Sequence, residues 1–251
     1  MFKKFTIALL LCFSLLSYGI CQDGIETGST IWNWSEPQEY HNAVVRLSSE
    51  LGSGTATVIK TEPKDEKYDT AYLITAAHMF CDTTVSESIV YGSSTITYYD
   101  GTQIKNCNVV QIDKENDIAI VWGLCPKGLK PIKVADKPIA SNEKVEYLGL
   151  GGKSDVTKNG LRHFYGISAC VTTPDRLISN TYFIHGDSGG AALNENHELV
   201  GVVSGGLYLC TAKLKQNDWE KIVTYPALCC NLNPIKKLLE KSFPSDKNVN
   251  N

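Results

Sequence analysis

At 251 residues the chain can bury substantial cores, as one large domain or two small ones, and its 43% apolar content excludes a disordered polymer. With 24 basic against 27 acidic residues and no basic stripe, the composition excludes nucleic acid as a partner. Beyond the first residues, no apolar stretch is long enough to span a membrane.

Residues 1–21 have the layout of a secretory signal peptide: a basic start, Met1-Phe2-Lys3-Lys4, the apolar run Phe5 to Leu16, and a border ending at Cys21. The protein is therefore expected to be secreted, extracellular or periplasmic, with no membrane span after processing. Loss of Lys3 and Lys4 leaves 22 basic residues against 27 acidic ones, a net charge near −5. Seven cysteines remain, Cys81, Cys107, Cys125, Cys170, Cys210, Cys229 and Cys230. None has paired C-x-x-C spacing, so no metal and no cofactor is expected, and disulfides are the reading for an oxidising compartment. Residues 22–39 form an N-terminal segment and a candidate propeptide.

From residue 40 onward, short apolar runs alternate with turn residues about every ten residues, which predicts an all-β barrel or sandwich. Strands are expected near Ala43 to Leu47, Gly54 to Lys60, Thr70 to Thr75, Ser94 to Tyr99, Lys105 to Ile112 and Asp117 to Trp122, with Asp100-Gly101 as a hairpin turn. The proline- and lysine-bearing stretch Cys125 to Pro138 reads as a connection between a first unit, 40–136, and a second, 137–243. The second unit is expected to hold strands near Val145 to Gly149 and Arg162 to Val171. It closes with Ile235, Leu238 and Leu239 at helical spacing, and 244–251 is a polar tail. Gly149-Leu150-Gly151-Gly152-Lys153-Ser154 fits neither phosphate-binding glycine pattern and reads as a tight turn after a strand.

Three segments carry chemistry. Tyr72-Leu73-Ile74-Thr75-Ala76-Ala77-His78 is an apolar strand ending in small residues that leave space for an imidazole. Asn116-Asp117-Ile118-Ala119-Ile120-Val121-Trp122 sets an acid at the mouth of a buried strand, where a carboxylate needs hydrogen-bond partners; a histidine Nδ1–H is one. Gly186-Asp187-Ser188-Gly189-Gly190 fits a serine on a glycine-permitted turn with backbone N–H groups pointing the same way, the arrangement of a nucleophile beside an oxyanion hole. An α/β-hydrolase elbow is excluded by order, because no histidine follows Asp218. His41, His163, His185 and His197 belong to no motif and read as surface or core histidines, with His185 at the rim of the site.

In the order His78, Asp117, Ser188, these motifs resemble the chymotrypsin/trypsin-like serine proteases, over about residues 40 to 243. The resemblance implies two six-stranded antiparallel β-barrels with a C-terminal helix, a catalytic triad of His78, Asp117 and Ser188, and an oxyanion hole from the N–H groups of Gly186 and Ser188. It implies polypeptide substrates, a pocket formed by Tyr182, Phe183, Ser204, Gly205 and Gly206, and no appended PDZ-type domain. The histidine-loop disulfide of the family has no upstream cysteine to pair with Cys81. In this family a new N-terminal ammonium can pair with the aspartate at position 187; the nearest match to such a start is Ile25-Glu26-Thr27-Gly28. No acid stands six residues before Ser188 and no histidine at Val203, so small or medium uncharged side chains are expected on the acyl side of the cleaved bond. A non-peptidase acyl hydrolase and a partner-binding pseudoprotease are the rival readings.

Overall fold

The computed structural model describes residues 38–81, 94–152, 161–169, 174–181, 183–216 and 219–243, with 206–216 and 219–227 described by backbone alone. The first half contains β1 (Val44–Ser49), β2 (Gly52–Pro63), β3 (Tyr68–Thr75), β4 (Ser94–Thr97), β5 (Gln103–Asp113) and β6 (Ile118–Pro126). They close into an antiparallel barrel in the order β1-β2-β3-β6-β5-β4. Closure removes every free sheet edge. Ile118, Ala119, Ile120 and Val121 are all buried, so the outer face of β6 is covered as well as its inner one. The β4–β5 hairpin turns at Asp100-Gly101, where Gly101 takes φ 85° and the Tyr98 carbonyl accepts its N–H. Thr75 pairs with Ala119 across β3 and β6, so the end of β3 and the start of β6 lie side by side. That register brings the segments of His78 and Asp117 to one rim.

The second half contains β7 (Lys144–Gly149), β8 (Arg162–Ile167), β9 (Arg176–Ser179), β10 (Phe183–Ile184), β11 (Ala191–Leu193), β12 (Leu199–Gln216) and β13 (Trp219–Asn231). Seven strands form a half-barrel, ordered β10-β13-β12-β11-β7-β8 with β9 on β13. Among the described residues, β9 meets β8 only through the isolated bridge Ser168↔Ser179. β11, which follows the serine turn, lies centrally, with Ala191 opposite both Leu148 of β7 and Val202 of β12.

The stretch expected to connect the halves is bonded to both. The Val58 carbonyl accepts the Ile132 N–H, while on the other side the Leu199 carbonyl accepts the Ala135 N–H and the Leu199 N–H donates to the Lys133 carbonyl. Helix α1 (Leu232–Ser242) buries Ile235 and Leu238 in the core of the first barrel, each fully buried aliphatic side chain contributing about 1.5–3 kcal/mol. Leu239, expected on the same face, is partly buried there. Cys229 and Cys230, adjacent on β13, point to opposite sides, one into each core.

No disulfide is present among the described residues. Cys107, Cys125, Cys229 and Cys230 are buried free thiols, and Cys81 is buried with its Sγ donating to the Ala77 carbonyl at 3.3 Å. Placed in strand interiors, they behave as small apolar residues. Cys170 and the Cys210 side chain lie outside the described residues.

Candidate active site

His78 sits in a one-turn helix, Ala77–Met79, directly after β3. Ala76 and Ala77 are fully buried, and their small side chains let this turn close against the barrel rim while the imidazole remains about one-third exposed. The Asp117 carboxylate takes two bonds from this one residue: Oδ1 accepts the His78 backbone N–H at 2.9 Å, and Oδ2 lies 2.8 Å from His78 Nδ1. An ionised carboxylate only accepts, so Nδ1 carries the proton and the Nε2 lone pair is left for a substrate-side proton.

Asp117 is itself fixed on several sides. It has φ 55° in the left-handed region, a conformation uncommon for a residue with a Cβ. The turn before it is tied by Asn116, whose backbone N–H and side-chain amide donate to the Asp113 carboxylate at 3.1 and 2.8 Å. From β9, Arg176 donates to the carbonyls of Asn116 and Glu115 at 2.9 and 2.7 Å. Ser204 Oγ donates to Asp117 Oδ2 at 2.5 Å. Ser204, expected to line the pocket, thus directs its hydroxyl at the carboxylate instead.

The serine turn is shaped by two glycines in the left-handed region, Gly186 at φ 96° and Gly189 at φ 84°. Gly189 has no room for a side chain: a Cβ there would lie 2.0 Å from the Thr55 carbonyl oxygen and 3.1 Å from the Ala76 nitrogen. The half-buried Ser188 is thereby held against the segment that carries His78. Two bonds join the turn to the first barrel: Thr55 N–H donates to the Ser188 carbonyl at 2.8 Å, and Thr55 Oγ1 donates to the Gly186 carbonyl at 2.7 Å. The same Oγ1 accepts Leu150 N–H, from the glycine-rich run after β7, at 2.9 Å. Within the turn, the N–H groups of Asp187, Gly189 and Gly190 are bonded to Ile184, Val203 and Asp187 carbonyls. Among the described residues, those of Gly186 and Ser188 donate to nothing.

Asp187 is fully buried and forms an ion pair with Arg162 of β8, itself almost wholly buried. Its carboxylate also accepts the N–H groups of Gly151 at 2.9 Å and Ile184 at 3.0 Å. A Cβ at Gly149 or Gly151 would come within 2.5 and 2.4 Å of Asp187 Oδ1. The glycine-rich run read as a tight turn is a cradle for this carboxylate. Sequence reasoning missed Arg162, since nothing in β8 distinguishes it from a surface arginine.

Of the expected pocket residues, Tyr182 lies outside the described residues, as does the side-chain position of Gly206. Phe183 is 2% exposed and packs edge-on against Tyr147, centroids 5.3 Å apart, and Phe164, 5.9 Å; it belongs to the core. An added Cβ at Gly205 would meet no atom of the described residues within 4 Å, and His185 is exposed beside the turn. A cysteine nucleophile has no support here: burial pushes the thiols of Cys107 and Cys125 up to about 11, and that of Cys230 up to about 12, where they stay protonated.

The profile of the trypsin family matches residues 67–217, more than half of the chain. No curated protein matches the sequence significantly. Among solved structures, it resembles the Rv3671c protease of M. tuberculosis in an inactive form, with TM-score 0.55 and 18% identity over 87% of this chain and 94% of that one. It also resembles the HtrA-type protease AlgW with a decapeptide, with TM-score 0.57 and 14% identity over 82% of this chain and 65% of that one. A serine endoprotease from Yersinia pestis matches with TM-score 0.55 and 18% identity over 83% of this chain and 68% of that one. At these identities the structures share the fold, a chymotrypsin-like one, and the sequence profile carries the family. The chain belongs to the trypsin family of serine endopeptidases.

Proposed function

We propose that the protein is a secreted endopeptidase that cleaves peptide bonds through Ser188, His78 and Asp117. The observation that carries this reading is the double bond of Asp117 to the backbone N–H and Nδ1 of His78, which leaves Nε2 as a base. In the first step Ser188 Oγ attacks the scissile carbonyl carbon and His78 Nε2 takes the hydroxyl proton. His78 then returns that proton to the leaving amine, giving an acyl-enzyme that water hydrolyses by the reverse sequence. The unbonded N–H groups of Gly186 and Ser188 stabilise the oxyanion, each by about 3 kcal/mol in the transition state.

The Arg162 guanidinium fills the role that a newly cut N-terminal ammonium plays elsewhere in the family, so the serine turn is held without propeptide cleavage before Ile25. The substrate is a polypeptide, with a small or medium uncharged side chain on the acyl side of the cleaved bond. Residues 1–21 direct export. A fluorophosphonate probe should label Ser188 in the parent and leave Ser188→Ala unlabelled, and matched peptide and ester substrates should both be turned over. Turnover of esters alone would replace this reading with a non-peptidase acyl hydrolase.

A further inference from the structure

Three of the five histidines, none of them His78, converge around one buried carboxylate. Glu146 of β7 is 4% exposed. Its Oε1 accepts from Tyr40 Oη at 2.8 Å, and its Oε2 lies 2.8 Å from Nδ1 of the half-exposed His197. His163 Nε2 approaches Oε1 at 2.6 Å, out of line for a hydrogen bond, and His163 Nδ1 also has no partner. His41, on the one-turn helix Glu39–Ala43, is 9% exposed, stands edge-on to His163 with centroids 5.2 Å apart, and its Nε2 is buried with no partner. Each such orphaned polar atom costs roughly 1–3 kcal/mol. A core that needed only packing would have placed apolar rings here.

We propose that His41, His163 and Glu146 form a site for a divalent transition metal of the zinc class, fastening the N-terminal turn to the second sheet. One ligand atom from each of the three lies within 4.8 Å of the other two. Zinc bonds of about 2.0–2.2 Å set tetrahedral ligand atoms ~3.4 Å apart, so shifts on the order of 1 Å complete the site. Two imidazoles and a carboxylate are a donor set that suits zinc and its neighbours and not calcium or magnesium, which take oxygen.

His41 and Glu146 are in the right charge state. Burial, reinforced by the neighbouring His163, holds the His41 pKa down to about 4, so the ring is neutral. Burial raises Glu146, but the close approach of His163 and the bonds from Tyr40 and His197 outweigh it and hold the carboxyl down at about 2, so it is ionised. His41 Nδ1 accepts the Gln38 N–H at 3.1 Å, which puts the ring proton on Nε2. Metal binding at Nε2 moves that proton to Nδ1 and gives up the Gln38 bond, with no net proton change at this ring. His197, on the far oxygen of Glu146, orients the carboxylate as an outer partner. The motif search found nothing because the ligands come from three distant segments.

The test is zinc titration of the full mature protein, by calorimetry and by metal analysis after dialysis, with thermal melts in zinc and in chelator. The expected result is one tightly held zinc per chain, with Tm raised by several degrees. His41→Ala, which removes an orphaned ring from an exposed-side turn, should lose at least about 100-fold in zinc affinity while keeping the parent's Tm in chelator. His197→Ala should lose about 10–100-fold. His78→Ala should still bind, separating this site from the catalytic histidine. Absence of stoichiometric zinc in the parent, or zinc affinity unchanged in His41→Ala, overturns the proposal.

Discussion

Asp187 and Arg162 form an ion pair in which neither side chain exceeds 4% exposure, and Asp187 adjoins the serine in the chain. Removing one partner of such a pair leaves an uncompensated buried charge, which costs about 3–5 kcal/mol. Arg162→Met should therefore lower stability by that amount in urea unfolding. It should also depress kcat/KM, because the cradle of Gly149, Gly151 and Asp187 sets where the N–H groups of Gly186 and Ser188 point. The same pair predicts that protein starting at Gln22 is fully active. Activity that appears only after cleavage before Ile25 would show that an ammonium, and not Arg162, completes the site.

Ser188→Ala should reduce turnover on the order of 10⁶-fold, the loss measured when a triad nucleophile is removed elsewhere. The change deletes one hydroxyl from a half-buried position, so Tm should stay within a degree or so. Ser204→Ala is a finer probe, since it removes a donor to the Asp117 oxygen that faces His78 Nδ1. Loss of a hydrogen bond to a charged acceptor is worth about 1.5–3 kcal/mol, which predicts a fall in kcat of at least tenfold with KM nearly unchanged. An equal rise in KM would mean that Ser204 contacts substrate instead.

What the sequence made legible was local. Each of the three motifs is a strand end with its turn, and alternation, small residues and glycines within a few positions define it. The eight strands named from the sequence each begin or end within a few residues of where apolar runs and turn residues put them, as at Thr75, where β3 ends, and Gly149, where β7 ends. Long-range partners left no such mark. Arg162 and Asp187, Arg176 and the Asn116 carbonyl, and the histidines around Glu146 meet only because strands distant in the chain pair in register. Phe183 shows the limit at one position: its distance from Ser188 in sequence suits a pocket, but its ring packs into the core against Tyr147 and Phe164. The cysteines show the same limit, because a count and a compartment say nothing about whether two thiols face each other.

Gly189→Ala should be among the most damaging single changes in the molecule. The residue combines φ 84° with a Cβ position 2.0 Å from the Thr55 carbonyl and 2.2 Å from Thr75 Oγ1. The backbone on both sides must shift, breaking the bonds that Thr55 makes to Ser188 and Gly186. The expected loss is above about 4 kcal/mol, with activity abolished together with stability. Gly205→Ala, in open space, is the control and should change Tm by under a degree.

Asp69 gives a prediction in pH. Its carboxylate accepts from Lys127 Nζ at 2.7 Å and from the Gly128 N–H at 3.0 Å, pinning the start of the connecting stretch to β3. Lys127 first, and Gly128 second, hold the carboxyl below the usual aspartate range. A group with a depressed folded pKa binds fewer protons when folded, so its stabilisation is complete above the unfolded value, about pH 4. As pH falls further, through the folded value, that contribution disappears. Asp69→Asn keeps an acceptor for Gly128 but loses the charge that Lys127 meets. The variant should thus melt a few degrees below the parent at pH 7, a modest gap because Lys127 is 46% exposed and screened by solvent. The gap should narrow steadily below about pH 4 and close once the parent's own carboxyl is protonated. Melting curves for both proteins across that range would show it, and a gap that stays constant down to the acid limit would mean that the amide perturbs packing and that the carboxylate's charge contributes nothing.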